Sequence, residues 1–269
     1  ERVLKARLED ALFFWNEDTR RPLVDMAAGL TEVLFHERLG SIMDKVERLQ
    51  TLAVAIGEAC SLSDADTLKR AAMLCKADLV SSMVYEFPEL QGIMGRYYAI
   101  KSGEQSEVSQ AIFEHYLPRS AGDILPASES GKVLSLAEKL DNLAGCFAIG
   151  LKPSGSQDPY ALRRQAMGIV HIILDSGLSL DLAALAVKAY DNFATIKTDS
   201  SREETVSEVL DFIMQRMRGV LLERGYSYDL IDATLAVPSN DINDIATRIK
   251  ALQDLRQSEI FEDFMVGYN

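Results

Sequence analysis

The sequence predicts an all-α protein. Apolar residues recur at three- and four-residue spacings through long windows, alternating β patterns are nearly absent, and the glycines and prolines fall between helical windows. Leu4, Leu8, Leu12 and Trp15 stand one helical turn apart, so the first segment reads as an amphipathic helix with those residues as its buried stripe. From Ser41, the series Ile42, Val46, Leu49, Ala53, Ile56 and Cys60 specifies a second helix. Helical rhythm resumes at Asp66 and runs through Leu68, Ala72, Cys75, Leu79 and Met83 to Phe87, where Pro88 closes it.

A punctuated stretch, Lys152 to Pro159, precedes a further helix predicted to reach about Asp175, with Asp158 as N-cap and Pro159 in its first position. Beyond Gly177 the texture changes, and a domain boundary is placed near residue 180. An acidic stretch, Asp199 to Glu204, leads into a helix striped by Val206, Leu210, Ile213, Met217 and Val220 and ending at Gly225. Two more helical windows follow, Tyr228 to Ala236 and Asp241 to Leu255. The first residues, Glu1 to Lys5, do not read as a signal peptide, and the last, around Phe261 to Met265, show no helix cap. Both ends read as cuts within a longer protein.

With 269 residues, 48% of them hydrophobic, the chain has enough apolar material for one large or two modest cores. No apolar run reaches membrane-spanning length, and a cytosolic location is expected. Cys60, Cys75 and Cys146 are odd in number and widely separated, which suits reduced core residues better than a disulfide framework or zinc cluster. The net charge of −13 opposes long-range attraction of nucleic acid, so any phosphate contact must rest on local basic groups.

Familiar chemical motifs fail on inspection. Gly131-Lys132 lacks the first glycine and the hydroxyl residue of a phosphate-binding loop, and His36-Glu37 lacks the second histidine of a zinc-protease helix. His171 lies in an apolar run and reads as a core histidine. His36, Asp78, His115 and Asp141 are spread over successive helical windows much as metal ligands are in HD hydrolases. The residue before Asp78 is Ala77, which offers no ligand. These positions therefore resemble a degenerate HD site, with no metal expected, in which Asp78 and Asp141 pair or cap within a polar seam.

Two basic groups are candidates for RNA. Lys152, Arg163 and Arg164 surround a Gly/Ser-rich turn and a predicted helix N-terminus, where backbone N–H groups favour phosphate. Arg216 and Arg218, with Arg224 beyond them, lie on the polar side of a later helix.

Longer strings carry a more specific signal: Ala6 to Trp15 with Asp18, Leu39-Gly40 with Asp44 to Arg48, Lys76 to Val80, Val84 to Tyr98, Glu114 to Tyr116, Lys139 to Leu143, and Pro153 to Arg164. In this order they resemble the β subunit of bacterial tetrameric glycyl-tRNA synthetase. The resemblance is strong to about residue 175, and Arg216 to Arg218 with Tyr228 to Ala233 look like the start of the helical anticodon-binding domain shared with arginyl-tRNA synthetase. His36, Ser154 and Gln157 depart from the family pattern, which more often carries glutamine, threonine and lysine there.

The resemblance implies an HD-like domain over 1–180, without hydrolase function, and the first helices of an anticodon-binding domain over 181–269. It implies a glycine-tRNA ligase complex of composition α2β2, in which the α subunit uses ATP to activate glycine and the β subunit binds tRNA. This part would have no cofactor and no catalytic residue of its own, and neither DNA nor membrane is an expected partner. Two other readings compete: a live metal-dependent HD phosphohydrolase built from His36, Asp78, His115 and Asp141, and a docking scaffold whose apolar strip of Ile93, Met94, Tyr97 and Tyr98 faces another subunit.

Overall fold

A computed structural model describes residues 2–62 and 64–258; the side chains of residues 2–4 and 6 are outside the description. Leu4 of the expected first stripe, and the expected uncapped segment Phe261 to Met265, therefore lie outside the described side chains and residues. The described chain is helical apart from one small hairpin, in agreement with the all-α expectation.

Helix α1 (Arg2–Asp18) forms, but its stripe is not the expected one. Leu8 and Leu12 are more than three-fifths exposed, whereas Phe14, Trp15 and Asp18 face the protein. Trp15 stacks on Tyr98, and buried Asp18 accepts from the backbone N–H groups of Ser82 and Met83 and from the Tyr98 hydroxyl at 2.7–3.0 Å. One carboxylate thus caps a distant helix and fixes the angle of α1. After α2 (Leu23–Ala27), the short strands β1 (Leu34–His36) and β2 (Gly40–Ser41) pair antiparallel.

Helix α3 (Ile42–Cys60) follows the predicted period. Ser41 and Asp44 close a reciprocal capping box, and Ile42, Val46, Leu49, Ala53 and Ile56 are buried. The single helix expected over 66–87 is instead three pieces: α4 (Ala65–Leu74), a 3-10 turn over Ala77–Val80, and α5 (Ser82–Glu86). Periodicity continues across the break because all three pieces bury apolar residues on the same core. The break itself serves Asp78, whose carboxylate turns to the N-terminus of α6 (Ile93–Lys101), and Ser81, whose hydroxyl caps α5.

Helix α7 (Ser106–Glu114) leads by a loop to α8 (Glu129–Ala148), the axis of the fold: every residue from Ser130 to Ala148 except Lys132 is buried. Gly131 is required where α8 begins, since a Cβ there would collide with the Glu114 carboxylate, which holds the Ala127 and Ser128 N–H groups. Against α8 pack α3, α4, α7, α9 (Leu162–Ser176), α10 (Leu182–Asp191) and α11 (Arg202–Glu223). Helices α12 (Tyr228–Leu235) and α13 (Ile242–Arg256) complete the described chain, with α13 reaching back to α9.

Helix α11 starts at a Ser201–Glu204 capping box, but its buried face is Thr205, Val209, Ile213, Met217, Val220 and Leu221, rotated at its start from the expected Val206 and Leu210. Buried residues on both sides of residue 180 join in one apolar cluster. Among the described residues no helix is long and apolar enough to cross a membrane, and Cys60, Cys75 and Cys146 are all free thiols.

Candidate nucleic-acid interface

The two carboxylates matched to an HD site are engaged by partners inside the protein. Asp141, fully buried in α8, receives Arg48 Nε at 2.8 Å on one oxygen and Lys45 Nζ at 2.9 Å on the other. Lys45 also donates to Asn142 Oδ1 at 2.7 Å. Lys76 pairs with Glu138 at 3.2 Å and lies over the Tyr116 ring. Two lysines and an arginine from α3 and the turn after α4 thus meet two carboxylates one helical turn apart on α8.

Asp78 accepts from the N–H groups of Gly92 and Gly95 at 2.6 and 2.9 Å, acting as the cap that glycine-started α6 lacks. Burial pushes its carboxyl up to about 6. His115 is also fully buried. Its Nδ1 lies 2.6 Å from the Ile112 carbonyl, and burial holds its pKa well below the ordinary histidine range. In that neutral tautomer Nδ1–H donates and Nε2 is left as an acceptor, with no partner in the fold.

His36 sits apart on the hairpin, edge-on to Tyr160, with Nδ1 accepting from the Arg38 N–H. Ala77 is wholly buried in the 3-10 turn. Among the described residues no group of three or more His, Cys, Asp and Glu side chains is placed to hold a metal ion. The hydrolase reading loses its ligands for a physical reason: Asp141 is held between two cations and Asp78 caps a helix.

The docking-strip reading also needs correction. Met94 and Tyr98 are buried in the core and Ile93 is half-buried, leaving only Tyr97 of the four exposed. Those residues share a run of sequence but not a face.

The five basic candidates divide by their partners. Lys152 is paired with Glu208 at 2.6 Å, and Arg218 with Asp232 at 2.5 Å. Arg163 donates only to the carbonyls of Gly155 and Gln157, which steadies it across the loop without neutralising it. Arg164 is exposed and has no hydrogen bond or ion pair among the described residues; it stands between two clefts. Arg216 stacks its guanidinium 3.5 Å over its own neighbour Phe212 and donates to the Phe212 carbonyl. Burial, with the Arg163 charge adding to it and the Asp158 carboxylate opposing it, lowers the basicity of Arg216. The structure therefore brings together two arginines 53 positions apart in sequence, from groups read separately above.

The start of α9 differs from expectation. The helix begins at Leu162, after Ala161 in a left-handed conformation, and Asp158 reaches forward to accept from the Leu162 and Arg163 N–H groups at 2.7 and 2.9 Å. A carboxylate already occupies the donors that a phosphate would use. Anion binding at this end of α9 thus falls to side chains.

Sequence reading did not find Arg119, Lys139 or Tyr160. These line a cleft of about 440 Å³ with His115, Glu138 and Arg164, between the loop after α7, the middle of α8 and the start of α9. Lys139 donates to the Leu117 carbonyl and Ser135 hydroxyl, both at 2.7 Å, and has no carboxylate within hydrogen-bonding distance; burial pushes it down to about 7. No local motif marks these residues.

Comparison with known proteins agrees with the resemblance. The profile of the glycyl-tRNA synthetase beta subunit family matches residues 1–236. The glycine–tRNA ligase beta subunit of Syntrophomonas wolfei is 64% identical over 269 residues, covering all of this chain and 39% of that protein. Those of Desulforamulus reducens and Clostridioides difficile are 47% and 46% identical, each over all of this chain and 39% of the relative. The chain thus spans about two fifths of the length of these relatives, and with a family profile matched over most of its residues it belongs to the glycyl-tRNA synthetase beta subunit family.

Proposed function

We propose that this chain is a tRNA-positioning part of a glycine–tRNA ligase, supporting ATP-dependent attachment of glycine to its tRNA without performing the chemistry. Glycine activation with ATP belongs, in this reading, to an α subunit in an α2β2 cytoplasmic complex, and this part needs no metal or other cofactor. Residues 1–180 act as an HD-like domain whose ligand positions have become structural, and 181–269 as the beginning of an anticodon-binding domain.

The observation that supports this best is the packing of α9 on α11, which brings Arg163 and Arg216 near enough for their charges to oppose each other, partly offset by Asp158; neither they nor Arg164 forms an ion pair among the described residues. Like charges held close in a protein of net charge −13 are stabilised by an external anion, and a polyphosphate backbone supplies one at each nucleotide. The guanidinium fork suits phosphate oxygens, and the Phe212 ring under Arg216 limits the conformations lost on contact. Lys152 and Arg218, already neutralised, contribute less.

The test is binding of glycine tRNA to the wild-type chain and to an Arg163→Glu/Arg216→Glu variant across a salt series. Loss of two phosphate contacts should weaken binding at least about tenfold at low salt and flatten the dependence of log K on log salt by about 1 to 2. Unchanged affinity and slope in the double variant would refute the assignment.

A further inference from the structure

Helix α6 turns to solvent a face that the tRNA surface does not use. In order along the helix it carries Arg96, Tyr97, Ile100 and Lys101, so a cation stands at each end with two apolar side chains between. Tyr97 and Ile100 are 46% and 57% exposed and, three residues apart, lie side by side on the helix. Only Tyr97 is shared with the strip expected from the sequence, which turns inward at Met94 and Tyr98.

The cations of this face have no acidic partner. The Arg96 side chain forms no hydrogen bond or ion pair among the described residues; it lies over the Phe113 and Tyr97 rings, 4.7 and 5.2 Å from their centroids. Lys101 and Arg21, also unpaired among the described residues, line one hollow of about 200 Å³ at the end of α6, where Arg20 is already joined to Glu17. Glu104 and Asp18, close by in sequence, are held by Arg70 at 2.9 Å and by Tyr98 at 2.7 Å. In a chain of net charge −13 this face is a local surplus of positive charge. The rings order Arg96 before anything binds, so less side-chain freedom is lost on contact.

We propose that this face of α6 docks an acidic amphipathic helix of another protein, its apolar side chains seated on Tyr97 and Ile100 and its carboxylates reaching Arg96 at one end and Lys101 with Arg21 at the other. An apolar centre inside a charged rim is the anatomy of a protein–protein interface. Arg96 with Ile100, and Tyr97 with Lys101, stand four residues apart and form ridges between which those of a second helix pack. A ribose–phosphate chain would match the cations but leave Ile100 without a partner. The inference stands independently of the tRNA reading, because Arg163, Arg164 and Arg216 take no part in it.

Fluorescence anisotropy with a labelled synthetic helix of about 15 residues tests it, a Leu stripe flanked by Glu, beside the same peptide with Lys for Glu and with Ser for Leu. Two variants alter exposed positions only: Ile100→Asp removes the apolar centre, and Arg21→Ser/Lys101→Ser removes the cations of one end. The Glu/Leu peptide should bind the 269-residue chain saturably and more weakly as salt rises. Each altered peptide, and each variant with the Glu/Leu peptide, should bind at least about tenfold more weakly. Glycine tRNA affinity of both variants at moderate salt should stay within about threefold of wild type. No saturable binding of the Glu/Leu peptide, equal binding of the Lys or Ser peptide, or unchanged affinity in either variant overturns the inference. A larger fall in tRNA affinity also overturns it, assigning the face to nucleic acid.

Discussion

The seam under α8 and the rim made by α9 and α11 each carry three principal cations, and they treat them in opposite ways. Lys45, Arg48 and Lys76 are buried and meet Glu138 and Asp141 within 2.8–3.5 Å. Arg163, Arg164 and Arg216 stand on the rim with carbonyls, an aromatic ring or water for company. Removing a charge from water is so unfavourable that the seam has to pair its charges internally, and its carboxylates are held by cations of the fold. The rim, still solvated, keeps its charge for a partner. A count of basic residues along the chain cannot separate the two sets; their partners do.

Breaking the seam should produce the largest effect. Asp141→Ala strands Lys45 and Arg48 in a dry interior and should destabilise the chain by about 3–5 kcal/mol in urea or thermal unfolding. A loss below about 1 kcal/mol, the range of exposed pairs, would mean that the seam is wetter than the contacts indicate.

A smaller effect sharpens the contrast at its boundary, where Lys139 is buried without a carboxylate hydrogen bond. Its folded pKa of about 7 lies below the unfolded lysine value of about 10.4, so between these the unfolded chain binds more protons and stability rises with pH. From about pH 7 to pH 8 the wild-type chain should gain up to roughly 1 kcal/mol relative to Lys139→Met, measured by chemical denaturation at both pH values. Parallel pH profiles for the two proteins would place the Lys139 ammonium in a polar setting.

The smallest effect belongs to the solvated pairs. Lys152→Ala removes the ion pair to Glu208, with both side chains about two-fifths exposed, and should change stability by less than about 1 kcal/mol. It should also weaken tRNA binding far less than Arg163→Glu/Arg216→Glu does in the same salt series. Equal losses would erase the distinction drawn here between paired and unpaired cations.

Legibility in the sequence followed the same division. Helices with one wet face, α3 and α13 among them, announced themselves by period: the windows read from Ser41 and Asp241 start at the residues that cap these helices in the structure. The α1 stripe misled because Leu8 and Leu12 have helical spacing yet remain exposed, while the residues that dock are Trp15 and Asp18. The 66–87 window hid a break because three short pieces bury one continuous side. α8 resisted reading as an amphipathic helix for the opposite reason: beyond its first turn it is buried on every side, Glu138, Lys139 and Asp141 included.

By itself the sequence determined the helical class, the starts of α3, α4, α12 and α13 and, through its ordered strings, the family; periodicity, capping and residue identity are local properties that survive without coordinates. Only the tertiary structure decided which charges were spent. Asp141 meets cations 93 and 96 positions away, Asp78 caps a helix that begins 15 residues later, and Arg163 finds Arg216 across the α9–α11 packing. Ion pairing depends on distance through space and on exclusion of water, and neither is written in the spacing of residues along the chain.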